Sequence, residues 1–351
     1  MMTKQTMPPS GYVNENKITQ AELTQKQKIT GFLGKYGLLG LALLTFVAFG
    51  VIEPYFARAS NILDIFRTAS IYGICALGLS LVMICGEIDF ACGLEMAMGG
   101  VAIALLLDST VFTSYALGVV VVLVIAAIVG VINWLLHCKV GIPAFIATMG
   151  VSLVIKGVLM GLTNSARVFS TKWPDNFKTL GSGRFLDVIP YPAICFCLLA
   201  AVILFYTERT ASGKKLYAVG SNNKACQYVG IKAQREKLKA FVQCSMFSAF
   251  AGIIHCSTNG GAIYTLGDNA LINGFTILML GATFYRIGVF NVPGTIVGAI
   301  IISALDNGLT MVGSDTVGKY LVKGLVLLGS VFLVTVLRRS SARSGKAKKA
   351  A

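Results

Sequence analysis

Charged side chains are scarce in this chain. Asp, Glu, Lys and Arg make up 13% of its 351 residues, where an average soluble domain carries about 25%. That is too little to cover a water-exposed surface, so an ordinary soluble domain is excluded. Intrinsic disorder is excluded as well, because it needs low hydrophobicity and high charge. There are only two histidines, His137 and His255, and neither has a Ser or Cys partner in a triad arrangement. The nine cysteines include no C-x-x-C pair and no histidine at metal-ligand spacing. They read as small buried hydrophobes. The Gly-Lys pairs at 34, 213, 318 and 345 lack the following Ser or Thr of a phosphate-binding loop. The chain therefore reads as no enzyme, with no catalytic, cofactor or metal residues of its own.

What is abundant is apolar. Hydrophobic residues make up 55%, and the mean hydropathy is +0.75. The 38 glycines exceed the number of about 25 expected for this length, as in helices that pack closely within a bilayer. A spanning helix needs about 20 mostly apolar residues. Runs of that kind occur near residues 37–52, 70–85, 90–107, 111–136, 143–160, 189–206, 240–256, 270–284, 292–305 and 320–337. The fold class is all-α, a polytopic integral membrane protein of about ten transmembrane helices. The second, eighth and ninth runs are short enough to be broken or re-entrant.

The net charge of +15 is a topology signal. Ten spans put both termini on one side. That side collects five basic residues in the N-terminal tail, Lys139, eight between Thr207 and Lys239, Arg286 and six in the C-terminal tail. The other side collects eight in all, and Lys156 lies within a span. The positive-inside rule then places both termini in the cytoplasm. The first 36 residues are polar, so no cleavable leader is expected. The domain plan is a cytoplasmic tail at 1–35, a transmembrane unit at 36–338 with a cytoplasmic loop at 207–239, and a basic cytoplasmic tail at 339–351.

Four stretches carry functional interest. Cys85-Gly-Glu-Ile-Asp-Phe-Ala-Cys-Gly93 sets two carboxylates between apolar spans. Such charge near a membrane core usually faces a cavity or a partner, so Glu87, Asp89 and the nearby Glu95 are candidates for a translocation pathway. Asp89 also reads as a cap on the third span. The stretch Gly213 to Ile231 contains a short helix in which Ala225, Cys226, Tyr228 and Val229 form one apolar face. It would either dock on a cytoplasmic partner or lie on anionic lipid. Gly294 and Gly298 follow Pro293 as a G-x-x-x-G packing face. Gly141-Ile-Pro-Ala-Phe-Ile-Ala-Thr-Met-Gly150 starts another helix with a proline.

In this order the motifs resemble the permease subunits of bacterial ABC importers of the ribose/xylose/autoinducer-2 type. The family's Gly-Gly-Ile-Asp-Leu-Ser-Val-Gly corresponds to Gly86–Gly93, and its Ile-Pro-x-Phe-Ile-Ala-Thr-Leu-Gly to Ile142–Gly150. Its cytoplasmic Gly-x-x-x-Tyr-Ala-x-Gly-x-Asn-x-x-Ala-Ala-x-x-x-Gly-Ile corresponds to Gly213–Ile231. Gly-Thr-x-x-Gly and Asn-Gly-Leu correspond to Gly294–Gly298 and Asn307–Leu309.

The resemblance implies a permease subunit in the bacterial inner membrane that moves a sugar or sugar-like solute into the cytoplasm by alternating access. It implies a second permease copy or paralogue and a periplasmic or lipid-anchored binding protein. It also implies cytoplasmic ATPase subunits docked at Asn223, Lys224, Ala225, Cys226, Tyr228, Val229, Gly230 and Ile231, so that ATP acts through those partners. Departures are Glu87 for a glycine, Cys92 for a valine, and Gly281–Arg286 for Gly-Gly-Thr-Ser. An ion-coupled secondary transporter is the alternative, and it would work without an ATPase.

Overall fold

The computed structural model describes residues 36–109, 114–169, 173–286 and 288–350, with side chains to residue 336. The expected tail at 1–35 lies outside the described residues. Ten helices correspond one for one to the ten apolar runs. They are α1 (Tyr36–Ile52), α2 (Ala59–Ile84), α3 (Cys92–Asp108), α4 (Tyr115–Trp134), α5 (Ala144–Thr163), α7 (Tyr191–Arg209), α10 (Ala233–Asn259), α11 (Leu266–Gly281), α12 (Val292–Met311) and α13 (Thr316–Ala350). Three short helices lie between them: α6 (Asp175–Ser182), α8 (Ala211–Ser221) and α9 (Asn223–Tyr228). The only strands among the described residues form a small hairpin, β1 (Arg184–Phe185) with β2 (Ile189–Pro190). The all-α polytopic class holds.

Among the described residues, seven helices are long and apolar enough to cross a membrane, and α1 is a shorter apolar helix. Two of the three runs read as short are in fact long. α2 begins eleven residues before the run at 70–85, because Asp64 and Arg67 pair one turn apart at 2.7 Å and can be carried within the helix. α12 runs on past residue 305, because Asp306 meets Lys323 of α13 at 2.8 Å. α11 is short, at 16 residues. α10 begins at Ala233, so the last seven residues of the expected loop at 207–239 are helical. The boundary expected at 338 falls inside the continuous backbone of α13.

Proline and polar caps set the starts. Pro143, Pro174 and Pro190 precede α5, α6 and α7, and Pro293 sits in the first turn of α12. Asn291 caps α12 by accepting from Gly294 N at 2.8 Å. α4 ends in a π-helical turn, Leu135–Val140, closed by Gly141 at φ 90°.

α2 and α10 are buried over most of their length, and α10 packs on α2, α3 and α4. The α3–α10 seam is backbone against backbone. A Cβ built on Gly252 would stand 1.8 Å from the Met96 carbonyl, and one on Gly99 would stand 2.1 Å from that of Ala249. In contrast, α5, α7 and α13 turn Leu153, Val154, Leu198, Phe205, Leu328 and Phe332 outward. Apolar exposure on this scale needs hydrocarbon rather than water around it.

The helices alternate in direction. One end gathers α8, α9, the α2–α3 break, the π-helical turn and the α11–α12 turn. There the Tyr217 hydroxyl donates to the Phe290 carbonyl at 3.0 Å, and Trp134 Nε1 donates to the Gln234 carbonyl at 2.8 Å. This is the basic end. The opposite end holds α6, the hairpin and the α12–α13 turn, and a short bridge links Val168 to Ala262.

Candidate functional site

The basic end presents a knuckle of two short helices. Thr210 starts α8 by accepting from Gly213 N at 3.1 Å. Asn222, in extended backbone, separates α8 from α9 and caps α9 by accepting from Ala225 N at 2.9 Å. α9 then closes on glycine. The Ile231 N–H returns to the Cys226 carbonyl at 2.9 Å, with Gly230 at φ 74°. Of the expected apolar face, only Cys226 points inward. Ala225 is exposed, as are Tyr228 at 91% and Val229 at 72%. Cys226 thus turns away from the exposed Ala225, Tyr228 and Val229. A helix of six residues has too few turns to fix its phase from sequence. Asn223, Lys224 and Gly230 are exposed too, and Ile231 is half-buried.

Behind the knuckle lies a cavity of about 870 Å³, lined among others by Trp134, His137, Gln227, Gly230 and Lys237. A second, of about 380 Å³, is bordered by Glu87, Tyr217 and Phe290. Glu87 stands between them. Its Oε1 accepts from Lys237 Nζ of α10 and lies 3.1 Å from His137 Nε2 of the π-helical turn. His137 Nδ1 in turn sits 3.0 Å from the Ile142 carbonyl. Partial burial alone would push the Glu87 carboxyl up. His137 and Lys237 more than offset this and hold it below the usual range. One carboxylate thus ties the α2–α3 break to α4 and α10.

Asp89 and Glu95 lie deeper and are fully buried. Asp89 Oδ1 accepts from Ala91 N at 2.8 Å, just ahead of α3. Glu95 Oε1 accepts from Ser245 Oγ at 2.6 Å and from Asn133 Nδ2 at 3.1 Å. With the Cys244 thiol, these carboxylates place three donor atoms within 4.8 Å of one another. Ser245, Asn133 and the Ala91 N–H engage one oxygen of each carboxylate, and Asp89 Oδ2 and Glu95 Oε2 have no hydrogen-bond partner.

Gly294 and Gly298 face α11. A Cβ at Gly294 would meet the Gly281 carbonyl at 2.1 Å, and one at Gly298 the Ile277 carbonyl at 2.5 Å. At the opposite end, Asn61 and Asn307 exchange amide hydrogen bonds at 2.9 Å in both directions, tying α2 to α12. The Asp306–Lys323 pair lies beside them.

The family model described as "Branched-chain amino acid transport system / permease component" matches residues 61–331. The chain belongs to this family. The permease is 31% identical over 319 residues to the ribose import permease protein RbsC of Bacillus subtilis, covering 90% of this chain and 98% of that one. It is 32% identical over 295 residues to RbsC of Haemophilus influenzae, covering 83% and 90%. It is 28% identical over 346 residues to the xylose transport system permease protein XylH of Escherichia coli, covering 82% and 87%. No solved structure matches it.

In this permease the residues read from sequence fall in three separate places. The knuckle holds Asn223–Ile231, and Glu87 stands behind it. Asp89 and Glu95 are packed among α3, α4 and α10 and border none of the cavities described. Sequence reasoning missed the pairing of Asp306 with Lys323. Each is a lone charge in an apolar stretch, and that was the available signal.

Proposed function

We propose that this chain is the membrane-spanning subunit of an ATP-driven importer for a sugar or sugar-like polar solute. The family membership supports transport, and the relatives named for ribose and xylose support the solute class. The observation that carries the mechanism is the knuckle: Tyr228 and Val229 project as an apolar pair from a rigidly capped turn at the basic end. Exposed apolar side chains on a fixed turn are what a protein partner needs. A cytoplasmic ATPase subunit docks there, on Asn223 to Ile231, and each cycle of ATP binding and hydrolysis pushes on the base of α10. ATP is held by that partner.

In this reading the basic end and both termini are cytoplasmic, the tails at 1–35 and 339–351 flank the transmembrane unit, and the membrane is the bacterial inner membrane. A binding protein delivers solute at the opposite end, and a second permease, a copy or a paralogue, completes the pathway. Glu87 lies at the inner mouth of that pathway. Asp89 and Glu95 act on it by holding the start of α3, and Gly294 and Gly298 let α12 move against α11 as one body.

The test is reconstitution. Proteoliposomes holding the permease with its ATPase and binding protein should take up labelled ribose or xylose only when ATP is supplied to the ATPase side. Uptake by the permease alone, driven by an ion gradient, would overturn the reading. Ala225→Asp should abolish ATPase capture while the chain keeps its thermal stability.

A further inference from the structure

The cavity at the end remote from the knuckle plays no part in the assignments above. It measures about 440 Å³, within the size range of small-molecule sites. Its walls include Thr68 and Tyr72 of α2, Ser303 and Asp306 of α12, and Tyr320 and Lys323 of α13. So polar a lining between membrane helices is costly and marks function.

Two oxygens of the lining have no hydrogen-bond partner, and a third lies one helical turn away. Ser303 is 1% exposed, and its hydroxyl is unpaired. Asp306 uses Oδ2 for Lys323 and leaves Oδ1 unpaired. Asn273, a turn along α11 from the lining residue Asn269, is 1% exposed with its Oδ1 unpaired, and it lies beside Tyr72. Buried polar atoms are almost always hydrogen-bonded, so two left open on the lining of one cavity call for an occupant that brings its own donors.

The chemistry of the lining selects that occupant. A carboxylate oxygen and an amide oxygen accept, an ammonium donates, and a serine hydroxyl does both. Every hydroxyl of a sugar is donor and acceptor at once and can answer all of them. Tyr72 and Tyr320 add aromatic faces for the C–H side of a ring. The Asp306–Lys323 pair is neutral as a unit, and Lys319 adds a further donor to the lining. A branched-chain amino acid answers the open oxygens only with its ammonium, and its aliphatic side chain leaves the rest of the polar lining unpaired.

We infer that this cavity, between α2, α12 and α13, is a binding site for a small polyhydroxylated solute of pentose size. The inference rests on the importer reading and extends it: the permease itself makes a polar contact with its cargo at the loading end.

The test uses the full-length chain in lipid nanodiscs, with D-ribose, D-xylose and L-leucine as probes in saturation-transfer NMR. A saturable signal is expected with at least one pentose and none with leucine. Ser303→Ala removes one contact and should weaken binding about tenfold. The double variant Asp306→Leu with Lys323→Met removes the pair together, which keeps the fold where a single change would strand a charge, and should abolish the signal. No pentose signal from the wild type, or one unchanged in both variants, overturns the site. Uptake of labelled pentose by the reconstituted importer separates the two failures. With uptake present only the site falls, and with none for either pentose the importer reading falls too.

Discussion

Glu87 is where a single side chain has the widest reach in this protein. It holds Lys237, and His137 lies 3.1 Å away, so it joins three segments at the basic end. Glu87→Gln leaves the buried Lys237 ammonium without a charged acceptor, at a cost of about 1–3 kcal/mol. Thermal unfolding in detergent should show this loss, and Lys237→Met on top of it should return part. The pH dependence follows from the depressed carboxyl. A group whose folded value lies below its unfolded one contributes fully above the unfolded value, about 4.3 for glutamate. That contribution is lost as pH falls through the folded value. The wild type should therefore lose stability on acidification through that range more steeply than Glu87→Gln does. Parallel curves for the two would show that the cluster does not bind its proton as described. The knuckle offers a second test at this scale. Gly230→Asp forces a side chain onto φ 74° and so mixes backbone strain with loss of docking. Ala225→Asp and Tyr228→Asp change exposed side chains, and only docking should respond.

Among the helices, backbone contact decides what can change. Gly252→Ala would drive a methyl into the Met96 carbonyl and force α3 and α10 apart, an overpacking cost at or above about 3 kcal/mol. Gly157→Ala on α5 meets nothing within 4 Å and should be silent or slightly stabilising. Fluorescence-detected size exclusion after graded heating should separate them, and equal behaviour would mean the α3–α10 seam is looser than described. The helices were legible in the sequence because each is an apolar run and hydrocarbon demands such runs. Their ends were less so. The start of α2 and the end of α12 carry Asp64, Arg67 and Asp306, which read as breaks until their partners are known. Of those partners, only Arg67 is local. Lys323 is brought to Asp306 by the packing of α13, which lies against α11. The polar cavity at that end was illegible for the same reason, since α2 lies far along the chain from α11, α12 and α13, which complete the lining. The motif around Glu87 could be seen, but its partners His137 and Lys237 lie 50 and 150 residues away.

At the scale of the whole molecule, the question is which end faces the cytoplasm. The alternating helices put the start of α1 and the end of α13 at the same end as the knuckle. Of 30 basic residues, 21 belong to that end or to the tails attached to it. Basic loops of this length resist translocation, so we propose that this end faces the cytoplasm. The prediction is a labelling pattern in intact cells treated with a membrane-impermeant maleimide. A cysteine introduced at Leu186, exposed on the hairpin turn of the opposite end, should react at once. One at Tyr228, exposed on the knuckle, should react only after the cells are opened. The native exposed thiol, Cys197, sits within α7 among lipid-facing residues, where a charged reagent does not reach, so the parent chain supplies the background. Reaction at Tyr228→Cys but not at Leu186→Cys in intact cells would invert the protein, put the knuckle out of reach of any ATPase, and remove the basis of the importer mechanism. The opposite pattern puts the docking turn next to ATP and the polyol cavity at the side from which solute is supplied, the one arrangement in which both ends of the molecule can serve import.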